Sequence, residues 1–173
     1  TIGYHLKANH LMSDGNITLL YSAAMIVDAV TALFVGKAYD RLKIKTGMKT
    51  GGLLVLMAIP FITLLLPFLT LSNSTVLIVI GMIVFGVVIG VHETVMRSAI
   101  ADITPFNKRG TGYGVFNTCY GLALLGGAAL MGLLYDKSMI GSIIAFTCAV
   151  ELIAILLYFK MNNMVKNSHQ VRN

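Results

Sequence analysis

From Thr50 through Val91 the chain carries no charged side chain, and this interval constrains the fold more than any other feature. A hydrocarbon layer about 30 Å thick takes about 20 mainly apolar residues per helix. The interval is too long for one such span, and Ser72-Asn73-Ser74-Thr75 divides it in two. It reads as a helical hairpin with a tight polar turn. The composition agrees: 57% of the 173 residues are hydrophobic, 12% are charged, and the mean hydropathy is +0.82. A soluble domain carries about twice that share of charge. The apolar runs are continuous rather than alternating, which argues against a β-barrel. An all-α membrane protein follows.

Five spans are expected. They run from about 16 to 36, 51 to 71, 75 to 104, 111 to 133 and 140 to 159, within a transmembrane domain covering 16–160. The first opens behind Ser13-Asp14-Gly15-Asn16, a helix-start pattern. The second contains Pro60 and Pro67, tolerated where neighbouring helices satisfy the freed carbonyls. The third is stopped by Pro105. The segment after Lys160, polar and without a periodic apolar face, is expected to be a mobile tail over 161–173. Because Thr1 is not Met and no signal peptide follows it, the chain is expected to be a fragment lacking an N-terminal portion.

Lysine and arginine set the orientation. Lys37, Arg41, Lys43, Lys45, Lys49, Lys108, Arg109, Lys160, Lys166 and Arg172 fall on one side. Lys7 and Lys137 fall on the other, and Arg97 lies within a span. The rule puts residues 1–15 outside and the C-terminus in the cytoplasm of a multi-pass protein of the cell (inner) membrane. It also accounts for the net charge of +6 without nucleic acid, whose usual signal of basic stripes interleaved with aromatics is absent. Cys119 and Cys148 fall inside spans and read as buried free thiols.

Two segments at the basic ends of the spans stand out. In Gly36-Lys37-Ala38-Tyr39-Asp40-Arg41 a glycine ends a helix and an acid follows four residues later. An aspartate so placed can accept hydrogen bonds from another helix's N-terminal amides. In Asp102-Ile103-Thr104-Pro105-Phe106-Asn107-Lys108-Arg109-Gly110 an acid closes one span and an Arg-Gly pair opens the next. Asp102 and Arg109 are then placed to meet across the loop, with Arg41 joining them. A network that breaks when helix ends separate biases a conformational equilibrium.

Charges inside the membrane cost on the order of 2.5–3.5 kcal/mol each and mark function by default. Asp28 lies midway along the first span, on the face that carries Tyr21. Glu93 and Arg97 are spaced to pair at i,i+4, below Gly86 and Gly90 on the same face. These are substrate or proton-pathway candidates, with helix packing as the competing role. His92 points about 100° away from Glu93, so the two do not form a metal site. Gly86-x-x-x-Gly90 and Gly110-x-x-x-Gly114 permit close helix approach. Tyr113, Asn117 and Tyr120 form a polar-aromatic stripe in the fourth span, suited to a wet cavity or to an interhelical contact. Glu151, central in the fifth span, has no assigned role.

The Gly36…Asp40-Arg41 segment resembles the cytoplasmic motif of the major facilitator superfamily between helices 8 and 9. Asp102-x-x-Pro105-x-x-x-Arg109-Gly110 resembles the Glu-x-x-Pro-x-x-x-Arg-Gly pattern of its sugar-porter members, with Asp in place of Glu; Leu42-Lys43-Ile44-Lys45 departs from the usual continuation of the first motif. The resemblance implies helices 8 to 12 of a C-terminal six-helix bundle, gated by Gly36, Asp40, Arg41, Asp102, Arg109 and Gly110. It implies a secondary transporter moving a small solute by alternating access, as a proton-coupled carrier or a uniporter, whose partners are the lipid bilayer, the solute and its own N-terminal helices. No cofactor is expected. The other readings are a membrane sensor or assembly subunit, and an intramembrane enzyme. The last lacks a metal cluster, an activated nucleophile or paired aspartates, so no enzymatic activity is expected.

Overall fold

A computed structural model of the protein describes residues 2–46, 59–137 and 139–170. Every regular element among them is helical. In chain order these are α1 (Ile2–Ala8), α2 (Asp14–Thr46), α3 (Ile59–Thr63), α4 (Leu66–Thr70), α5 (Thr75–Ile103), α6 (Arg109–Asp136) and α7 (Ile140–Gln170). A 3-10 turn at Phe106–Lys108 precedes α6. The helices α2, α5, α6 and α7 are long and apolar enough to cross a membrane. A shorter apolar stretch, Ile59–Thr70, makes a partial fifth.

The third expected span is matched almost residue for residue by α5, because Ser74 and Pro105 bound an uninterrupted apolar run. The second expected span, 51–71, is described only from Ile59 on; its first part lies outside the described residues. What is described is two short helices rather than one. Pro67 has no N–H, and its ring crowds the carbonyl four residues earlier, at Thr63, where α3 ends. Leu64 and Leu65 bridge the break with hydrogen bonds to Pro60 and Ile62 carbonyls, each 3.1 Å long.

Two expectations are corrected. Gly36 does not end a helix: α2 continues ten residues further, through Thr46. Those residues include no proline, and Tyr39, only 1% exposed, anchors the extension against α5 and α3 with Ile59, Val95 and Ala99. Nor is the segment after Phe159 irregular. Residues 160–170 contain neither glycine nor proline, and α7 carries on to Gln170.

The molecule is organised along the pairing of α2 with α5. A second buried cluster, Leu6, Leu20, Ala24, Ile78 and Met82, lies at the opposite end of that pairing and includes α1. Between the clusters α5 presents glycine. A Cβ added at Gly86 would sit 2.4 Å from the Ala24 carbonyl oxygen, and one at Gly90 would sit 2.7 Å from that of Asp28. The expected role of Gly86-x-x-x-Gly90 in close helix approach is therefore the one the structure displays. In lipid, where apolar surface gains nothing by leaving solvent, such backbone proximity is what holds helices together. By contrast α6 buries none of its residues.

Candidate functional site

Three groups of polar side chains lie along the α2–α5–α6 assembly. The first is at the basic end. Asp102 Oδ1 accepts a 2.6 Å hydrogen bond from Lys43 Nζ, and its Oδ2 accepts one of 3.1 Å from the Tyr39 hydroxyl. Asp102 thus spends its carboxylate on α2, not on Arg109 as expected. The reason lies in the continued helix: Tyr39 and Lys43 are one turn apart on the face of α2 that meets α5. A loop at Gly36 would have left them undirected. Arg109 instead places its guanidinium 5.4 Å from the centre of the Phe106 ring, and its enclosed Nε makes no hydrogen bond among the described residues. Asp40 and Arg41 are exposed on the far side of α2, and a Cβ added at Gly110 would meet nothing. Of the six expected gating residues, only Asp102 has a partner on another helix in a hydrogen bond described here.

The second group is mid-span. Asp28 is partly buried, its Oδ1 directed at Gly90, where an added Cβ would lie 3.0 Å away. Tyr21 shares its helix face but not its surroundings. Seven residues separate the two, about 10 Å of rise, and Tyr21 packs instead on Gly3 of α1. The expected pairing of acid and phenol is absent from this arrangement. Glu93 and Arg97 do pair as spaced, with Oε2 and Nη2 3.1 Å apart. The Tyr113 hydroxyl donates to the Arg97 carbonyl at 3.1 Å, which ties α6 to α5. One further contact was not anticipated: the Tyr120 ring stacks on His92 at 5.8 Å and on Phe116 at 5.7 Å. Asn117 stands exposed between Phe116 and Tyr120. Among the described residues no group of three metal-ligating side chains forms.

The third group, at the opposite end, was missed in the sequence altogether. His5, 2% exposed, hydrogen-bonds through Nδ1 to the Tyr135 hydroxyl at 2.7 Å and through Nε2 to the Ser72 carbonyl at 3.2 Å. A carbonyl only accepts, so Nε2 carries a proton. In the neutral ring Nδ1 then accepts from Tyr135 and from the Asn9 amide, 3.1 Å away. The Tyr4 ring meets Tyr135 edge-on at 5.4 Å. Three distant points of the chain converge here, and only contact in space relates them; no local pattern could have found them.

A family model described as Major Facilitator Superfamily matches residues 1–171. An uncharacterized protein of Mycobacterium tuberculosis is 33% identical over 158 residues, covering 91% of this chain and 36% of that protein. One from Mycobacterium bovis matches to the same extent. The class H tetracycline resistance protein of Pasteurella multocida is 29% identical over 154 residues, covering 88% of this chain and 38% of that protein. The chain thus spans little more than a third of the length of these curated relatives. No solved structure matches it.

Proposed function

The chain belongs to the major facilitator superfamily, and on that premise we propose that it supplies helices 8 to 12 of a secondary active transporter. The transporter moves a small solute by alternating access: this part rocks against the remaining helices around a site near the middle of the membrane. The relative named for tetracycline resistance supports a small organic cargo. The basic end, with Lys43 and Asp102, faces the cytoplasm, in keeping with the Lys/Arg bias. There the Tyr39–Asp102–Lys43 contact holds α2 and α5 together, with Asp40, Arg41, Arg109 and Gly110 available to the opposing half.

The observation that carries the proposal is Asp28 at the α2–α5 seam. It sits opposite Gly90, one turn along α5 from the Glu93–Arg97 pair. A carboxylate so deep in a membrane protein marks an ion or proton pathway. Its Oδ1 faces Gly90, which has no side chain to cover it. Asp28 is thus the proton carrier, and Glu93, Arg97, Asn117 and Tyr120 line the solute path.

The test is Asp28→Asn in the full-length protein, which keeps the size and hydrogen bonding of the side chain but cannot titrate. Expected is the loss of uphill, proton-driven accumulation in proteoliposomes, with expression and counterflow exchange retained. Normal accumulation with an unchanged pH profile would exclude Asp28 and pass the role to Glu93.

A further inference from the structure

We infer that His5 is a proton-operated clasp. With a neutral ring it holds the Tyr135 end of α6 to α1 and to the turn at Ser72; with a proton on Nδ1 it lets α6 go. The inference stands apart from the transport reading above, because it concerns how the helices are held and not what they carry. Histidine is the side chain whose charge ordinarily changes between about pH 5 and about pH 8. Here it is 2% exposed and bonded to two distant parts of the chain, the Tyr135 hydroxyl and the Ser72 carbonyl. The nearest stacking contact of α6 with α5 is that of Tyr120 on His92. Tyr120 is 15 residues from Tyr135, about 22 Å of helix rise. Control of the His5 contact is therefore control of this end of α6.

The contacts around the ring are set for its neutral form. Nε2 donates to the Ser72 carbonyl, so Nδ1 is the bare nitrogen. The Asn9 amide nitrogen lies 3.1 Å from Nδ1 and 3.0 Å from the His5 carbonyl oxygen, and it gives one hydrogen to each. That carbonyl fixes the amide's orientation: turned over, Asn9 would set its Oδ1 against another acceptor. A proton on Nδ1 therefore meets an N–H and forces the amide out of both bonds. If the Tyr135 hydroxyl turns to accept the new proton, its own hydrogen needs an acceptor. Among the described residues it has no second hydrogen-bond partner. Only the Ser72 bond is served by the charged ring as well as by the neutral one. Burial adds to the conflict, because a charge out of water is costly without a counter-charge. Among the described residues none is supplied. On α1, Lys7 is turned to Asp14 of α2, 2.9 Å away, and His10 is exposed. The turn at Ser72 and the first half of α5, through Val91, carry no charged side chain. Asp136 and Lys137, which follow Tyr135, are exposed, and the Tyr4 ring meets Tyr135 only edge-on. With the clasp open, Leu6 still holds α1 in the apolar cluster of α2 and α5, so the part released is α6.

The experiment uses the full-length protein in detergent, with its own cysteines, Cys119 and Cys148 among them, replaced by serine. Nitroxide labels are placed by Ala8→Cys, at the end of α1, and Met139→Cys, just beyond α6. Pulsed electron resonance measures their separation at about pH 8 and about pH 5.5, on either side of the ordinary histidine range. One short-distance population is expected at the higher pH. At the lower pH a second, longer population should appear and vanish when the pH is restored. With His5→Gln, which cannot titrate, the distribution should be the same at both values. His10→Gln should keep the response. Tyr135→Phe removes a donor that favours the bare Nδ1, so the transition should move to higher pH. An unchanging distance in the labelled protein would overturn the inference. So would a response that survives His5→Gln or is lost in His10→Gln. If His5→Gln fails to fold, Tyr135→Phe decides: a transition that stays in place or moves to lower pH rejects the clasp.

Discussion

The α2–α5 seam and the open face of α6 are built from the same residue types and behave in opposite ways. Both are glycine-rich. At Gly86 and Gly90 an added methyl would strike backbone of the facing helix, whereas at Gly114, Gly121, Gly126, Gly127 and Gly132 it would meet nothing. Both carry polar groups inside an apolar span, yet Asp28 is pressed into the seam while Asn117 stands exposed. A glycine spacing therefore reports the possibility of close approach, not the approach itself. What decides is whether the opposite helix offers small side chains at the same level, as α2 does with Ala24.

The sharpest way to break this comparison is Gly86→Leu. A side chain there must push α2 and α5 apart, and overpacking of this kind costs about 1–3 kcal/mol or more. The expected result is a large loss of folded protein in detergent, followed by size-exclusion chromatography and thermal unfolding. Normal yield would mean that the seam is not the organising contact. A middle-sized effect is expected from the basic end of the same seam. Asp102→Asn removes the charge beside Lys43 and should destabilise by about 1 kcal/mol. Tyr39→Phe removes one hydrogen bond and should cost less. If Tyr39→Phe costs as much as Asp102→Asn, the hydroxyl rather than the ion pair holds the ends together. The smallest effect is expected for Gly126→Leu, which points into open space on α6. It should change stability by less than about 0.5 kcal/mol in the same assay. A loss comparable to that of Gly86→Leu would show that another element covers this side of α6.

The helices were legible where composition alone bounds them. Thr75 to Ile103 is an apolar run with a polar turn before it and a proline after it, and nothing distant needs to be known. The end of α2 was not legible, because glycine lowers helix propensity but does not forbid a helix. The burial of Tyr39 settles the matter, and burial is a tertiary fact. The Glu93–Arg97 pair could be read from its spacing, since both partners sit on one helix. Lys43 could have been suspected from its i,i+4 relation to Tyr39, but only after the helix was known to reach it. Arg109 was assigned to Asp102 across a short loop, whereas Lys43 reaches the same carboxylate from a neighbouring helix.

The His5 contact and the Lys43–Asp102 contact differ in their sensitivity to ionic strength. Lys43 and Asp102 attract each other as ions, and dissolved salt weakens the exposed share of that attraction over a Debye length of about 10 Å at 0.1 M. The ring of His5 joins a phenol, a carbonyl and an amide, none of which bears a net charge. Between fresh water and brine the Lys43–Asp102 contact therefore weakens, as does the exposed Lys7–Asp14 pair between α1 and α2, while His5 keeps its grip on α6 and on the turn at Ser72.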